Sequence, residues 1–270
     1  MKIRILAVSF LFLLSFYAMS QCEVANNRYF GAGENLSYDL YFKYGILFSK
    51  AGNASIKTES IKHQGNNAYK MSLTSHSTGL ARKAFPLDDT LSCIMDSSLR
   101  PLAYFKDAHE GNEHTIEKQT YTYLSGNNIK IHAVRIKNGE ERYNVTFTTN
   151  NCTYDMMSIV FFARTLNYDA MKKGSKTSVV FISGQKKMNM QINYEGTTSV
   201  KANNGVSYNC HKLTLTIEDP AFPNPQEAMK VLITNDLNRM PVQIESKLKI
   251  GSTKAILKGF SGLKNAVGSR

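Results

Sequence analysis

Acidic residues are scarce in this chain. It carries 21 Asp and Glu against 33 Lys and Arg, a formal charge of +12 over 270 residues and a pI near 9.4. That excess points to an acidic partner, although net charge speaks to association and not to fold. Four cysteines are too few for a dense disulfide scaffold. Seventeen Gly and six Pro are too few for a collagen-like or low-complexity chain. With 42% apolar and 10% aromatic residues, intrinsic disorder is excluded as well. After residue 17 no apolar run approaches the roughly 20 residues of a membrane-spanning helix. The G-x-S-x-G nucleophile elbow, the P-loop and the G-x-G-x-x-G fingerprint are all missing, so the sequence offers no motif for acyl transfer, nucleotide hydrolysis or dinucleotide binding.

The N-terminus reads as an address. Lys2 and Arg4 precede an apolar run from Ile5 to Tyr17, and Ala18-Met19-Ser20 places small residues at −3 and −1 of a cut. This is the three-part pattern of a secretory signal peptide. A lipoprotein signal at Cys22 would need a small residue before the cysteine, where Gln21 stands. The expectation is therefore that residues 1–20 are cleaved. Residues 21–270 then form a single exported β-barrel-like domain, with a two-lobe split around 155–173 as the alternative. The location expected is periplasmic or outer-membrane associated. Export permits disulfides, and Cys22, Cys93, Cys152 and Cys210 allow three full pairings among which the sequence does not choose.

Alternation of period two, the signature of half-buried strands, recurs along the chain. Leu36, Tyr38, Leu40 and Phe42 alternate with Ser37, Asp39 and Tyr41; Tyr143, Val145 and Phe147 alternate with Asn144 and Thr146. Met188, Met190, Ile192 and Tyr194 behave in the same way. Turn signals separate the runs. Asn138-Gly139 is a two-residue hairpin signal, and Gly251-Ser252 fits a type II′ turn. The pattern predicts about twelve to fifteen strands in a mainly antiparallel meander. One segment departs from it: Asp155 to Lys173 sets Met156, Ile159, Val160, Ala163 and Leu166 at helical spacing. Asp155 stands as N-cap, Lys172 and Lys173 at the C-terminal end, and Gly174 as the stop. The fold class expected is all-β: a large meander forming a partly open barrel or half-barrel, with one helix near the middle of the chain. Closing or curling the sheet hides its edges.

Groups that carry chemistry are sparse. His109-Glu110-Gly111-Asn112-Glu113-His114 lacks the H-E-x-x-H spacing that aims two imidazoles at one metal. It contains Gly-Asn between strand-like runs and reads as a hairpin tip. Asp88 and Asp89 are adjacent on a strand and should point to opposite faces. The last 25 residues hold five Lys and one Arg and no acid. A turn at Gly251-Ser252 would set Lys249 opposite Lys254 and Glu245 opposite Lys258. Lys247 lies on the same side, with Val242, Ile244, Leu248, Ala255 and Leu257 on the core side. Such a face suits an anionic envelope surface, or protects a terminal strand from pairing with other chains. Nucleic acid is not expected, because the basic–aromatic interleaving of single-strand binders is missing.

Several stretches resemble an exported bacterial family known as domain of unknown function 3108. Gly33-Glu34-Asn35-Leu36-Ser37-Tyr38-Asp39-Leu40 resembles its first strand, and Gly45-Ile46-Leu47-Phe48-Ser49-Lys50-Ala51-Gly52 its second. Asp155-Met156-Met157-Ser158 with Arg164 resembles its mid-chain helix. Asn235-Asp236, Arg239, Pro241 and Gly251-Ser252 resemble its closing hairpins. The resemblance implies an all-β, partly open barrel similar to the YmcC-like fold of a capsule-associated lipoprotein, and it carries over no catalytic residue. Relatives place a tryptophan in the late strand where Leu232 stands; this chain has none.

These readings converge on an exported, non-enzymatic protein of the cell envelope that binds a lipid-like or glycan ligand in the concavity of its sheet. Tyr- and Met-rich strands suit such a lining. Arg164, Lys247, Lys249, Lys254 and Lys258 are the candidate ligand-binding residues, with a structural ion pair as the competing role of Arg164. No catalytic residue, metal ligand or cofactor is expected. The alternatives are a structural or interaction protein of envelope or capsule assembly, and a glycan hydrolase, which would need two carboxylates facing one cleft.

Overall fold

The computed structural model describes residues 27–44, 46–218, 224–247 and 251–269. The expected signal peptide, Cys22 and Lys249 lie outside them. Fifteen strands form one sheet, nearly closed into a barrel. The first eight are β1 (Asn35–Tyr44), β2 (Leu47–His63), β3 (Asn66–Ser77), β4 (Leu87–Asp96), β5 (Pro101–Glu110), β6 (Glu113–Tyr123), β7 (Ile129–Lys137) and β8 (Glu140–Thr149). They are followed by β9 (Thr153–Tyr154), β10 (Lys176–Ser183), β11 (Lys186–Lys201), β12 (Ser207–Ile217), β13 (Met229–Thr234), β14 (Pro241–Lys247) and β15 (Ser252–Ser261).

Nearly every neighbour in the sheet is a neighbour in sequence. One long-range pairing joins the halves: β1 lies antiparallel to β15, so the order runs from β8 down to β1, then β15 down to β9. The two outer strands, β8 and β9, therefore follow each other in the chain. The gap between them is closed by side chains. Ile182 of β10 packs with Tyr121, Ile129 and Ile131 of β6 and β7. Apolar packing across the seam covers edges that would otherwise offer unpaired backbone.

Local chemistry accounts for the turns. Asn138 and Gly139 take φ of 52° and 82°, the positive pair that a two-residue hairpin needs, and Lys137 pairs with Glu140. The last hairpin departs from the expected turn. Lys247 pairs with Ser252, and Lys254 stands opposite Glu245 instead of Lys249. The shift is even, so the faces are kept: Val242 and Leu257 are fully buried. Gly251 has φ of 74°, and a Cβ there would meet the Lys43 carbonyl at 2.0 Å.

The mid-chain helix is shorter than its periodicity suggests. α2 spans Ser158–Thr165, followed by a 3-10 turn at Tyr168–Ala170. Asp155 does cap it, its Oδ1 accepting from the amides of Met157 and Ser158 at 2.8 Å each. The early end has a non-local cause. The Tyr168 hydroxyl donates to the Ala163 carbonyl at 2.6 Å, and Arg239 donates to the Leu166 carbonyl at 2.9 Å. These donors take up carbonyls that another turn of helix would have used. A second helix, α1 (Gly79–Ala84), joins β3 to β4 and has no counterpart in the periodicity. No helix among the described residues is long and apolar enough to cross a membrane.

The main core lies between the sheet and α2. It includes Phe30, Leu36, Met71, Met95, Phe161, Met240 and Leu257, all fully buried.

Candidate functional site

The core does not fill the interior. A cavity of about 670 Å³ opens between β1–β3 on one side and β13–β15 on the other, the two halves joined by the β1–β15 pairing. Leu40, Phe42, Ile56, Leu73, Ile244 and Ala255 supply much of its apolar lining. Alternate residues of each strand face inward, so the same alternation that predicts the strands produces this surface. A second cavity of about 310 Å³ lies against α2 and β10–β13, with Ile159, Val160 and Ala163 on the helix side. Met229 and Ile244 line both cavities, which places the two chambers on either side of these side chains.

The mouth of the larger cavity is unusual for a soluble surface. Phe85, which follows α1 and lines the cavity, is 54% exposed, and Leu80 of α1 is 83% exposed. Phe48 is half exposed and stacks on Tyr41, another lining residue, with ring centroids 5.0 Å apart. Ile46, in the β1–β2 connection, is fully exposed. α1 is tethered at this mouth by a two-pronged ion pair from Arg82 to Asp88 of β4, at 3.0 and 2.8 Å. Arg82 holds the exposed Asp88 carboxyl below its ordinary value.

Polar side chains are a minority of the lining. Ser75, Ser77, His76 and Lys254 contribute to the lining. Asp89, next to Ser75 across β3–β4, keeps one carboxylate oxygen buried without a hydrogen-bond partner. Burial, and then the charge of Glu110, push its pKa up to about 6. Asp88 and Asp89 thus separate as strand geometry requires, Asp88 exposed to Arg82 and Asp89 half buried.

The candidate residues chosen from sequence fall in different places. Arg164 is 1% exposed and locked to Glu34, so it faces the core. Lys254 stands at the cavity and pairs with Glu245 at 3.1 Å. Lys247 pairs with Glu227 at 2.6 Å. Lys258 acts on Asp39: burial pushes that carboxyl up, but hydrogen bonds from Lys50 and Asn203 and the charges of Lys50 and Lys258 outweigh burial and hold it low. The basic face is thus interleaved with acids from other parts of the chain. Cys93 and Cys210 are free and buried, and Cys152 is disulfide-bonded. α1 and the apolar mouth carry no signal in the sequence beyond an unassigned stretch between two strands.

Comparison with known proteins places this architecture. None of the curated proteins matches the chain. Among solved structures, a β-barrel-like protein of domain of unknown function 1849 from Brucella abortus superposes with a TM-score of 0.60 at 8% identity, covering 87% of this chain and 99% of its own. At that identity the likeness shows the fold alone. A Bacteroides fragilis protein with a YmcC-like fold, described as exported, covers 87% of this chain and 100% of its own at 8% identity, with a TM-score of 0.35. The family described as protein of unknown function DUF3108 matches residues 37–258, most of the chain and nearly the whole sheet, and this protein belongs to that family.

Proposed function

We propose that this protein is an exported, non-enzymatic carrier or binder of a lipid-like ligand in the cell envelope. The observation that supports the reading is the apolar cavity of about 670 Å³ with an apolar mouth. That volume lies within the range of ligand pockets, which are mostly apolar with a few polar groups to fix orientation. An acyl or isoprenoid tail suits the lining from Leu40 to Ala255, and a polar head suits Ser75, Ser77, His76 and Lys254. A glycan would leave its hydroxyls facing apolar side chains, at a cost for each unpaired group. The lipid-like arm of the reading is therefore favoured. Phe85, with Leu80 on the helix before it and Phe48 stacked on the lining residue Tyr41, would meet a membrane surface or a second carrier during transfer, as exposed apolar groups at one mouth do.

Native mass spectrometry of protein purified from its own envelope tests this reading. The expected result is an adduct that denaturation releases and lipid extraction recovers. A bare polypeptide mass, together with no uptake of a fluorescent fatty-acid probe by the purified chain, would overturn it. The same exposed residues favour a second reading, in which the mouth docks a protein of envelope assembly. In that case the cavity would stay empty, and substitutions at Leu80 and Phe85 would abolish partner capture.

A further inference from the structure

We propose that the β5–β6 hairpin carries a divalent metal site of the zinc type, built from Asp107, His109 and His114. Asp107 and His109 are two residues apart on β5 and so leave the strand on the same face. His114 stands directly opposite His109 on β6. The two imidazole rings stack with centroids 4.0 Å apart and planes 10° apart. Their Nε2 atoms converge on one carboxylate oxygen: Oδ1 of Asp107 lies 2.8 Å from His114 and 3.5 Å from His109. One ligand atom from each residue falls within a span of 4.8 Å. A tetrahedral zinc ion with bonds of 2.0–2.1 Å needs donors about 3.3 Å apart, so the groups stand close to coordinating distance already.

The hairpin pre-positions the set. A two-residue tip at Gly111 and Asn112 fixes the β5–β6 register, with Glu110 opposite Glu113. The neighbouring hairpin holds His114 by its backbone: the Asn138 side chain accepts from the His114 amide, and the His114 carbonyl accepts from the Asn138 amide, each at 2.8 Å. Two imidazoles and one carboxylate form the donor set of three-ligand zinc sites, with the fourth position open to water. Imidazole favours zinc over the hard cations magnesium and calcium, which prefer oxygen alone. His76 and Asp88 extend the same cross-strand row, His76 opposite Asp88 and Asp88 opposite His109. Asp88 is already engaged by Arg82, so it is not counted as a ligand. His109 is 58% exposed at the side chain, and Asp107 and His114 are partly exposed, so an ion can enter without any opening of the fold.

The test uses untagged purified protein, zinc chloride in titration calorimetry, and cobalt(II) absorption as a report of geometry. One zinc per chain with micromolar affinity, and the visible bands of tetrahedral cobalt, are expected. The H109A and H114A variants each lose more than the roughly 10–100-fold that removal of an outer-sphere partner costs, while H76A binds as the parent does. D107N, which preserves the shape of the side chain, also weakens binding. Circular dichroism and Tm of the variants match the parent, because all three side chains are at the surface. Absence of stoichiometric zinc binding would overturn the proposal. So would binding that survives H109A and H114A together, or a loss in H76A equal to that in H114A.

Discussion

The guanidinium of Arg164 grips the carboxylate of Glu34 with two hydrogen bonds, at 2.6 and 2.7 Å, across 130 residues of chain. Neither side chain is more than 1% exposed. The pair fastens α2 to the start of β1. A third bond from the same guanidinium to the Asn238 carbonyl, at 2.7 Å, ties in the β13–β14 turn. The Phe30 ring covers the guanidinium at 4.7 Å, adding a cation–π contact where water is excluded. Removing one partner of such a pair leaves an uncompensated buried charge. E34Q should therefore lower the free energy of unfolding by about 3–5 kcal/mol in urea titration. Replacing both residues with methionine should cost less than the sum of the single changes, because the lone charge disappears. Additive losses in that double-mutant cycle would show that the pair is not the coupling element.

Asp155 and His211 titrate in the same acid range with opposite signs. Burial pushes the Asp155 carboxyl up to about 6, against the hydrogen bonds from Ser158 and Met157. Its folded pKa lies above the unfolded value of 3.8, so the folded state binds the proton more tightly. The stability this provides is complete below about pH 4 and is lost as pH rises through 6. The rise corresponds to roughly 3 kcal/mol. Asparagine can still cap the helix. D155N should thus be the more stable protein at pH 7, with the difference vanishing by about pH 4, as measured by urea midpoints across that range.

His211 runs the other way. Burial and then the charge of Arg239 push its pKa down from 6.5 to about 4. Its ring stacks on Tyr168 at 4.5 Å, and Arg239 lies over the same Tyr168 ring at 4.8 Å. The folded state holds the neutral imidazole, so its contribution is present above about pH 6.5 and lost as pH falls towards 4. H211F keeps a flat ring without a proton site. It should flatten the acid limb of the stability profile between pH 6.5 and 4, and NMR of the parent should show a His211 ring still neutral at pH 5.

These residues mark where sequence reading reaches and where it stops. Strands and tight turns are local, so the alternation of Leu36 and Tyr38 and the Asn138-Gly139 pair announced them. The register of β14 and β15 differs by four residues from the one the Gly251-Ser252 turn implies, Lys254 meeting Glu245 and not Lys249. Strand parity allows any even slip without moving a single apolar residue off the core face. α2 ends before its periodicity does because Arg239, 73 residues away, takes the Leu166 carbonyl. His109 and His114 lack the helical H-E-x-x-H spacing, and they meet instead as a cross-strand pair on the β5–β6 hairpin. The cavity depends on the β1–β15 pairing, which no local pattern encodes. α1 is six residues long, too short to display a helical period.

Filling the cavity separates its role from that of the core around it. Ala255 of β15 faces the cavity between Leu40 of β1 and Ile244 of β14, its cross-strand partners. A large side chain added to a well-packed interior costs about 1–3 kcal/mol through strain. At Ala255 the space is already open, so A255W should leave the urea midpoint within about 0.5 kcal/mol of the parent, the range of changes that disturb no packing. The indole should also occupy the room an acyl chain needs. Uptake of a fluorescent fatty-acid probe, and any adduct seen in native mass spectrometry, should fall at least tenfold, a change of about 1.4 kcal/mol in binding. A destabilised A255W would mean that this part of the interior is filled by its own side chains. A stable A255W that binds the probe as well as the parent would place the ligand in another part of the barrel.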